Sequence, residues 1–279
     1  MRTMKQYQWH PSLLDPTGQR AEKPRLSGKT MIMDKGLGWN AFEDMLETAA
    51  PHVDMIKIGF GTSPLYPHHV IKQKIEAAKA RQISIYPGGT FLEVAVANDL
   101  VDEYFQTVSS LGFTGVEISD GTIELDRSMR SRLILKGLDA GLTVYTEYGK
   151  KCWGSTIEMK ALSQTVAMDI RLGADLVTIE GRESGMGVGI FDKNGDCKDE
   201  QVFEVLAHIP NRHLLLWEAP QKAQQVHLIR MLGSEINLGN INPQEILALE
   251  ALRRGLRADT FIFPNRPKVD EIYELNYDI

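Results

Sequence analysis

Residues 55–62 read Met55-Ile56-Lys57-Ile58-Gly59-Phe60-Gly61-Thr62, and the pattern they show decides the fold of the chain. A short apolar run, of the kind found in buried strands, leads directly into a charged residue and a glycine-rich turn. Seven other apolar runs end in charge or glycine in the same way, and they lie at residues 31–33, 83–86, 116, 144–146, 177–179, 214–217 and 236–238. The carboxyl ends of buried parallel strands are where a (β/α)8 barrel places its chemistry. Eight candidate strands with polar endings therefore predict an α/β protein, a single (β/α)8 TIM barrel.

Segments with helical periodicity separate the candidate strands. Phe42, Met45, Leu46 and Ala49 recur at i, i+3, i+4 and i+7, which is one apolar face of a helix. Similar patterns lie within residues 100–111, 162–170 and 202–209. The strand and helix unit recurs at roughly 25 to 35 residues, which fits βα units and a parallel sheet.

Local signals mark the predicted helix ends. Ser155-x-x-Glu158 predicts a capping box at the start of one helix. Asn242-Pro243-Gln244-Glu245 supplies an N-cap and a proline at the first helical position of the last helix. Helix ends are predicted at the glycines 112, 141, 173 and 233.

The predicted organisation is one barrel domain, residues 29–262, between an N-terminal arm, residues 1–28, and a C-terminal tail, residues 263–279. No linker or shift in composition divides the chain. An open doubly wound sheet is the alternative. It would have one glycine-rich phosphate turn after its first strand, whereas polar endings here follow all eight candidate strands.

Composition limits the classes of partner. The formal net charge of -6 argues against a protein that coats nucleic acid or an anionic membrane. Cys152 and Cys197 are too few for a disulfide framework, and no CxxC or Cys/His metal spacing is present. No apolar run is long enough for a signal core or a membrane span. We therefore expect a cytoplasmic homo-oligomer with small-molecule substrates, no nucleic acid and no membrane.

Four glutamates, Glu117, Glu147, Glu180 and Glu218, each follow an apolar run. Side chains at strand ends converge in a barrel, and clustered carboxylates repel one another unless a divalent cation or a shared proton neutralises them. Ligand sets made only of oxygen favour Mg²⁺ over zinc or copper. The alternative is that some of these glutamates form structural ion pairs near the barrel mouth.

Cations follow the same strand ends. Lys57 lies inside a strand-like run, where a buried ammonium must be paired or must face an anion. Lys150 and Lys151 follow Glu147, and Lys35 and Arg182 follow two other strand ends. These residues predict a locally positive pocket in an acidic protein. For Lys57, the alternative is a side chain that reaches out to the rim.

Glycine-rich turns add backbone donors for an anion. The turns lie at residues 59–63, at Pro87-Gly88-Gly89-Thr90 and at Leu238-Gly239-Asn240-Ile241. Barrels often bind phosphate after strands 7 and 8, which favours the loop after the eighth strand, with Gly239 and Asn240.

An ordered series of motifs resembles the phosphosulfolactate synthase family, from about Lys29 to Phe261. The motifs are Asp34-Lys35-Gly36, residues 57–63, Tyr86-Pro87-Gly88-Gly89-Thr90, Glu117-Ile118-Ser119-Asp120-Gly121, residues 146–151, residues 179–185, residues 218–222 and residues 252–257. The resemblance implies a (β/α)8 barrel that adds sulfite to phosphoenolpyruvate with Mg²⁺. The product would be (2R)-2-O-phospho-3-sulfolactate, for coenzyme M or sulfolactate synthesis. The family pattern has a lysine where this chain has Met186 and an alanine where it has Gly239.

The resemblance implies roles for the charged residues. Glu147 and Glu180, and then Glu117, are predicted to ligate Mg²⁺. Lys151 is predicted to protonate C2, which it does best if neighbouring cations and burial lower its pKa toward neutrality. Lys57 and Arg182 are assigned to sulfite and carboxylate.

The predicted substrate-binding residues are Lys35, Gly88, Gly89, Thr90, Lys150, Gly239 and Asn240, of which Gly239 and Asn240 would hold the phosphoryl group. Two alternative functions remain. One is another Mg²⁺-dependent barrel lyase that acts on a phosphorylated acid. The other is a non-catalytic protein, because the family also includes plant heat-stress proteins. The intact motifs at residues 87–90 and 150–151 favour an enzyme.

Overall fold

The computed structural model describes residues 9–261, with eight parallel strands at their centre. The strands are β1 Thr30–Asp34, β2 Met55–Ile58, β3 Ser84–Pro87, β4 Gly115–Ile118, β5 Thr143–Tyr148, β6 Leu176–Ile179, β7 Leu215–Glu218 and β8 Asn237–Ile241. Their order is β3-β2-β1-β8-β7-β6-β5-β4, so that the first and last strands of the chain are neighbours. Thr114 joins β3 to β4, because its N–H donates to the Ile85 carbonyl at 3.1 Å and its hydroxyl accepts from the Ile85 N–H at 2.8 Å. The predicted (β/α)8 barrel is confirmed.

Helices alternate with the strands. They are α1 Pro11–Leu14, α2 Trp39–Ala49, α3 His68–Ala80, α4 Gly89–Ala97, α5 Val101–Leu111, α6 Arg127–Asp139, α7 Met159–Leu172, α8 Asp199–His208, α9 Lys222–Leu232 and α10 Ile246–Arg253. Short 3₁₀ turns lie at Ala50–His52, Ser63–Leu65, Arg212–Leu214 and Pro243–Glu245. Two helices, α4 and α5, follow β3. None of the helices within residues 9–261 combines the length and the apolarity that crossing a bilayer requires.

The helix ends follow the sequence signals with two exceptions. Asn242 caps the 3₁₀ turn Pro243–Glu245, and α10 begins only at Ile246, so Pro243 is not the first residue of the last helix. Gly112 and Gly173 end α5 and α7 in left-handed conformations with φ of 88° and 114°. The predicted capping box with Ser155 is wrong. Helix α7 begins after Glu158, whose carboxylate accepts from two amides of the first turn, while the Ser155 hydroxyl donates to the Lys150 carbonyl at 2.7 Å. Ser155 therefore closes the loop after β5 and is not available to the helix.

Strand alternation separates two apolar layers. The residues that point outward pack against the helices in one large core. The residues that point inward form a second cluster, made of Met31, Met55, Tyr86, Tyr145, Leu176 and Leu216. Lys57, Glu147 and Glu218 each lie two positions beyond a member of this inner cluster, so they continue the same inward face. The barrel interior thus changes from apolar to charged toward the carboxyl ends of the strands.

Part of the predicted arm seals the opposite, amino-terminal end of the barrel. Arg20 contacts Glu250 at 3.1 Å and donates to the Gly28 carbonyl at 2.9 Å. Lys23 donates to three carbonyls around the starts of β2 and β3, and Arg25 pairs with Asp54 at 3.4 Å. The remaining part of the arm, residues 1–8, and the predicted tail, residues 263–279, lie outside the described residues. With this end closed, the open end of the barrel is the one with the charged side chains.

Candidate active site

A cavity of about 260 Å³ opens at the carboxyl ends of the strands. Its lining consists of Met33, Lys57, Phe60, Gly88, Gly89, Thr90, Glu147, Lys151, Glu180, Arg182, Glu183, Glu218 and Asn240. A cavity of similar size, about 270 Å³, lies beside α4 and α5, but Glu103 is the one charged side chain in its lining. Because the two volumes are alike, the concentration of charge identifies the first cavity as the candidate active site.

Lys57 stands at the centre of the charged layer, with 6% of the residue exposed. Its ammonium lies 2.9 Å from Glu117, 3.1 Å from Glu147 and 3.3 Å from Glu218. Burial favours a lower pKa for Lys57, but the three carboxylates outweigh it and raise the pKa well above the ordinary value. Lys57 is therefore a permanent cation that links its own strand, β2, to β4, β5 and β7, and not a side chain at the rim.

Lys151 forms a second bridge between the carboxylates. Its ammonium lies 2.9 Å from Glu147 and 3.7 Å from Glu180, and it donates to the Thr90 hydroxyl at 3.1 Å. The expected lowering of its pKa toward neutrality is wrong for this arrangement. Burial acts in that direction, but Glu147 and Glu180 outweigh it and raise the pKa of Lys151. Lys151 is therefore an ammonium that carries a proton.

Glu147, Glu180 and Glu218 form a buried carboxylate cluster, with one oxygen of each within 4.8 Å of the others. Burial, followed by the charges of Glu147 and Glu218, raises the pKa of Glu180 well above its usual range. The pKa of Glu147 is lowered instead, because Lys151 and Lys57 outweigh the effect of its burial. A side-chain hydrogen bond between Glu180 and Glu147 acts in the same directions, since it raises the pKa of Glu180 and lowers that of Glu147.

A divalent cation fits this carboxylate cluster. All three donors are hard carboxylate oxygens, which suit Mg²⁺. The raised pKa of Glu180 means that the three carboxylates are not neutralised by Lys57 and Lys151 alone, so a proton or a metal ion must complete the charge balance. The two ammonium groups compete with a metal ion for the same oxygens, and this competition would limit its affinity.

Glu117 lies beneath the cavity and outside this cluster. Its Oε1 lies 2.9 Å from the Lys57 ammonium, and its Oε2 accepts from the Gly89 N–H at 2.7 Å. Both oxygens thus support residues that line the cavity. The assignment of Glu117 to a metal ion stays a prediction, and Glu218 is the third carboxylate that lies within 4.8 Å of Glu147 and Glu180.

Two predicted cations lie outside the cavity lining. Lys35 forms an ion pair with Glu183 at 2.6 Å, and both side chains are about half exposed at the mouth. Lys150 donates to the Asp120 carbonyl at 2.6 Å and to the Ile123 carbonyl at 3.1 Å. Lys150 therefore holds the loop after β4, while its neighbour Lys151 points to the carboxylates.

The predicted turn after the eighth strand is part of that strand, since β8 extends to Ile241. A Cβ on Gly239 would lie 2.8 Å from Met31 and 2.9 Å from Leu216, so this position faces the packed interior and does not line the cavity. Asn240 does line it. The expectation that these residues form a turn beyond the strand is wrong for this reason, while their assignment to the phosphoryl group stays a prediction.

The amino end of α4 also borders the cavity. Gly88 is the N-cap of this nine-residue helix, and Gly89 and Thr90 are its first residues. All three line the cavity, as predicted for this motif. The dipole at a helix start favours an anion, although the amides of Gly88 and Gly89 already donate to the Ile58 carbonyl at 2.9 Å and to Glu117 at 2.7 Å. A Cβ at Gly89 would lie 2.4 Å from the Ser119 hydroxyl, so glycine is needed for this close approach.

Strained backbone is concentrated at the cavity. Phe60, Arg182 and Asn240 have φ of 53°, 59° and 57°, in the left-handed region that non-glycine residues rarely adopt. Arg182 is held by its N–H, which donates to Glu180 at 2.7 Å, and by its carbonyl, which accepts from Asn240 at 3.3 Å. Asn240 Oδ1 is buried without a hydrogen-bond partner among the described residues. Strain and unpaired polar atoms that coincide in one cavity are typical of a functional site.

Sequence reasoning missed two buried charged residues that support the site. Glu93 accepts from the Ser119 hydroxyl at 2.5 Å and from the Thr122 amide at 2.8 Å, and so fixes the loop after β4. Lys74 is fully buried and pairs with Asp34 at 2.6 Å, below the loop after β1. Both lie among apolar residues of a helix, and a charge on an apolar helix face was the available signal.

Solved structures with the same architecture have distant sequences. The chain matches 3-hexulose-6-phosphate synthase from Salmonella typhimurium with a TM-score of 0.51 and 15% identity, over 84% of this chain and 93% of that one. A dihydrodipicolinate synthase from Oceanobacillus iheyensis matches with a TM-score of 0.50 and 12% identity, over 84% of this chain and 76% of that one. At these identities the likeness shows the barrel fold alone.

Sequence relatives are much closer. Residues 18–259 match the family model of (2R)-phospho-3-sulfolactate synthase (ComA). The phosphosulfolactate synthase of Methanothermobacter thermautotrophicus is 43% identical over 88% of this chain and 95% of the relative. That of Bacillus subtilis is 33% identical over 87% and 95%, and the Arabidopsis thaliana protein HEAT-STRESS-ASSOCIATED 32 is 23% identical over 88% and 92%. The chain therefore belongs to the (2R)-phospho-3-sulfolactate synthase family.

Proposed function

We propose that this protein catalyses the Mg²⁺-dependent addition of sulfite to C3 of phosphoenolpyruvate, which gives (2R)-2-O-phospho-3-sulfolactate. The observation that supports this most directly is the meeting of Lys57 and Lys151 with the cluster of Glu147, Glu180 and Glu218 in one cavity. The family of the chain supports the same reaction.

The charge balance of the site favours a metal-dependent reaction of anions. The charged groups in and beneath the cavity are Lys57, Lys151, Arg182, Glu117, Glu147, Glu180, Glu183 and Glu218. Three cations face five carboxylates, so the protein alone has no surplus positive charge for two anionic substrates. Glu147, Glu180 and Glu218 are the residues that would hold Mg²⁺. When bound, the ion would supply positive charge next to the substrate carboxylate.

Each step of the addition needs a group that this chain provides. Sulfite forms a C–S bond at C3, the electron pair of the double bond moves toward C2 and the carboxylate, and C2 then takes a proton. Lys151 is the proton donor in our proposal, because it is an ammonium at the cavity wall. After donation, the ammonium is restored by a proton from solvent, which reaches Lys151 because its side chain is 27% exposed.

Three further groups bind and orient the substrates in this proposal. We assign the phosphoryl group to the amino end of α4, where the helix dipole favours an anion and Thr90 lines the cavity. Arg182 is exposed at the mouth, where its guanidinium suits the oxygens of sulfite. Lys57 is already saturated by three carboxylates, so we give it the role of fixing Glu147 and Glu218 in place.

The direct test is to incubate the purified protein with phosphoenolpyruvate, sulfite and Mg²⁺ and to identify the product by mass spectrometry and NMR. Lys151→Ala should lower kcat by about 100-fold or more, the usual size of a lost general acid, with the fold intact. Lys136→Ala is the matched control, since Lys136 pairs with Asp102 on the outer surface. Near-normal activity of Lys151→Ala would remove Lys151 from the role of proton donor.

Two outcomes would replace the proposal. Turnover of another phosphorylated acid, but not of phosphoenolpyruvate with sulfite, would indicate a different Mg²⁺-dependent lyase. The 23% identity to a heat-stress-associated protein makes a non-catalytic role the other candidate. Calorimetry that detects binding of neither Mg²⁺ nor phosphoenolpyruvate would support that role.

A further inference from the structure

Cys197, Asp199 and His227 bring three different ligand atoms together on the outside of the barrel. A sulfur, a carboxylate oxygen and an imidazole nitrogen lie within 4.8 Å of one another. The His227 Nε2 and the Asp199 carboxylate are 2.7 Å apart, and both side chains are nearly half exposed. None of the three residues lines the cavity at the barrel mouth. Cys197 and Asp199 lie two positions apart, but His227 lies on another helix, so no local pattern in the sequence points to the whole group.

The three residues join one long loop to one helix. Residues 180–198 form the loop that connects β6 to α8, and this loop carries Arg182 at the mouth. Cys197 lies near the end of the loop, where its backbone forms an isolated antiparallel β-bridge with Phe191. Asp199 is the first residue of α8, and His227 lies on α9. An ion bound by all three would tie the end of the loop to α9.

Helix α9 already anchors the same loop at two other points. Gln221 donates to the Ser184 carbonyl at 2.7 Å, and Gln224 donates to the carbonyls of Gly185 and Gly195 at 2.6 Å and 3.0 Å. His227 follows Gln224 by three positions, as Gln224 follows Gln221, so the three side chains lie along one side of α9. The cluster thus continues an existing line of attachment between helix and loop.

The donor set selects the class of ion. A thiolate and an imidazole suit Zn²⁺ and similar transition metals, whereas Mg²⁺ prefers oxygen alone. Burial, with the nearby charge of Asp199, raises the pKa of the Cys197 thiol to about 12, so without a metal it is not a reactive thiolate. A bound zinc ion deprotonates a coordinating thiol. Three protein ligands leave one tetrahedral position for water.

We propose that Cys197, Asp199 and His227 form a Zn²⁺ site that fastens the loop after β6 to α9. The site is separate from the carboxylate cluster that would hold Mg²⁺, so its occupancy and that of the active site can be tested independently.

The test is titration of the metal-free protein with Zn²⁺ by calorimetry, and with Co²⁺ followed by absorption. We expect one Zn²⁺ per chain at this site and a thiolate-to-cobalt charge-transfer band. Cys197→Ser should abolish the band and weaken Zn²⁺ binding by about 100-fold or more. Loss of a residue that only supports a metal ligand weakens binding by about 10- to 100-fold, and loss of the ligand itself should weaken it more. Cys152→Ser is the matched control and should keep both, because Cys152 is the other free cysteine and belongs to no such group.

Two further variants keep the test decisive. His227→Gln changes an exposed side chain, so it should preserve the fold and still weaken Zn²⁺ binding, even if Cys197→Ser does not fold. Glu180→Gln should leave the Zn²⁺ site unchanged, because Glu180 belongs to the other cluster. Zn²⁺ binding that is indifferent to both Cys197→Ser and His227→Gln, or a charge-transfer band lost in Cys152→Ser, would overturn the proposal. Hydrogen exchange in residues 185–198 should slow when Zn²⁺ is added, and an unchanged rate would contradict the fastening role.

Discussion

At the scale of single residues, Glu180 shows a conflict between stability and the proposed activity. Its carboxyl is buried beside Glu147 and Glu218, which raises its pKa. Such an arrangement is unfavourable for the metal-free fold. A metal ion would relieve the conflict, since it attracts all three carboxylates.

Glu180→Gln should therefore have opposite effects on stability and on metal binding. Without Mg²⁺, the neutral isostere removes the charge conflict and should raise the free energy of unfolding by about 1 to 2 kcal/mol. Wild-type protein should gain about 2.7 kcal/mol at a Mg²⁺ concentration 100 times its Kd, and the variant should gain much less. Urea unfolding with and without Mg²⁺ measures both effects. A variant that is less stable without Mg²⁺, or that gains as much from it as wild type, would contradict this account of Glu180.

At the scale of elements, α4 joins the binding site to the loops around it. Its first residues line the cavity, and Glu93 in its second turn holds the loop after β4 through Ser119 and Thr122. The helix can lie this close to β4 only because residue 89 has no side chain. The position of the anion site therefore depends on the packing of the whole element.

Gly89→Ala tests this dependence. The added Cβ would lie 2.4 Å from Ser119 Oγ and 2.8 Å from its Cβ, so the start of α4 must move. Overpacking of this kind costs about 1–3 kcal/mol. A shift of about 1 Å in a binding group can lower kcat by about 100-fold.

Gly38→Ala is the matched control for Gly89→Ala. Gly38 is the N-cap of α2 with φ of -68°, and a methyl group added there would have no atom within 4 Å. The control should change stability by less than about 1 kcal/mol and leave kcat unaltered. Equal effects of the two substitutions on kcat would argue against α4 as the anion site.

At the scale of the whole molecule, the two ends of the barrel differ in how their acidic side chains are paired with basic ones. At the amino-terminal end, Glu250 lies between Arg20 at 3.1 Å, Arg254 at 2.7 Å and His52 at 3.5 Å. Bases surround the acid there, and the segment before β1 closes the end. At the other end the carboxylates are in excess and the cavity is open. The charge imbalance, and hence the chemistry, lies at the carboxyl ends of the strands.

Glu250→Gln should destabilise the fold in a pH-dependent way. Burial favours a higher pKa for Glu250, but His52, Arg20 and Arg254 outweigh it and lower the pKa. Because the pKa of Glu250 is lower in the folded than in the unfolded state, its ionised side chain stabilises the fold above about pH 4.3. This stabilisation is lost as the pH falls through the folded-state pKa. We expect Glu250→Gln to cost about 3 kcal/mol at pH 7 and progressively less below about pH 4. Urea unfolding across this pH range measures the difference, with the exposed Glu204→Gln as a control that should show almost none. A cost that does not change with pH would exclude this electrostatic origin.

The sequence by itself determined the number of strands, most helix ends and the end of the barrel that carries the charges. These properties follow from alternation within a strand, from the helical period and from glycine, all of which act between residues close together in the chain. Local patterns also singled out Lys57, Glu147, Glu180 and the turn at Gly88 before any contact was known.

Only the tertiary structure decided which partner each of these charged side chains contacts. Lys150 and Lys151 are neighbours in sequence, yet Lys150 bonds to carbonyls and to Glu124 of the loop after β4, whereas Lys151 pairs with the buried Glu147. Glu117 and Glu218 end similar strands, but the first supports Gly89 and the second joins the carboxylate cluster. The raised pKa of Lys151 likewise depends on its distance to carboxylates on other strands. Distances between strands are set by barrel closure and helix packing, which no single segment encodes.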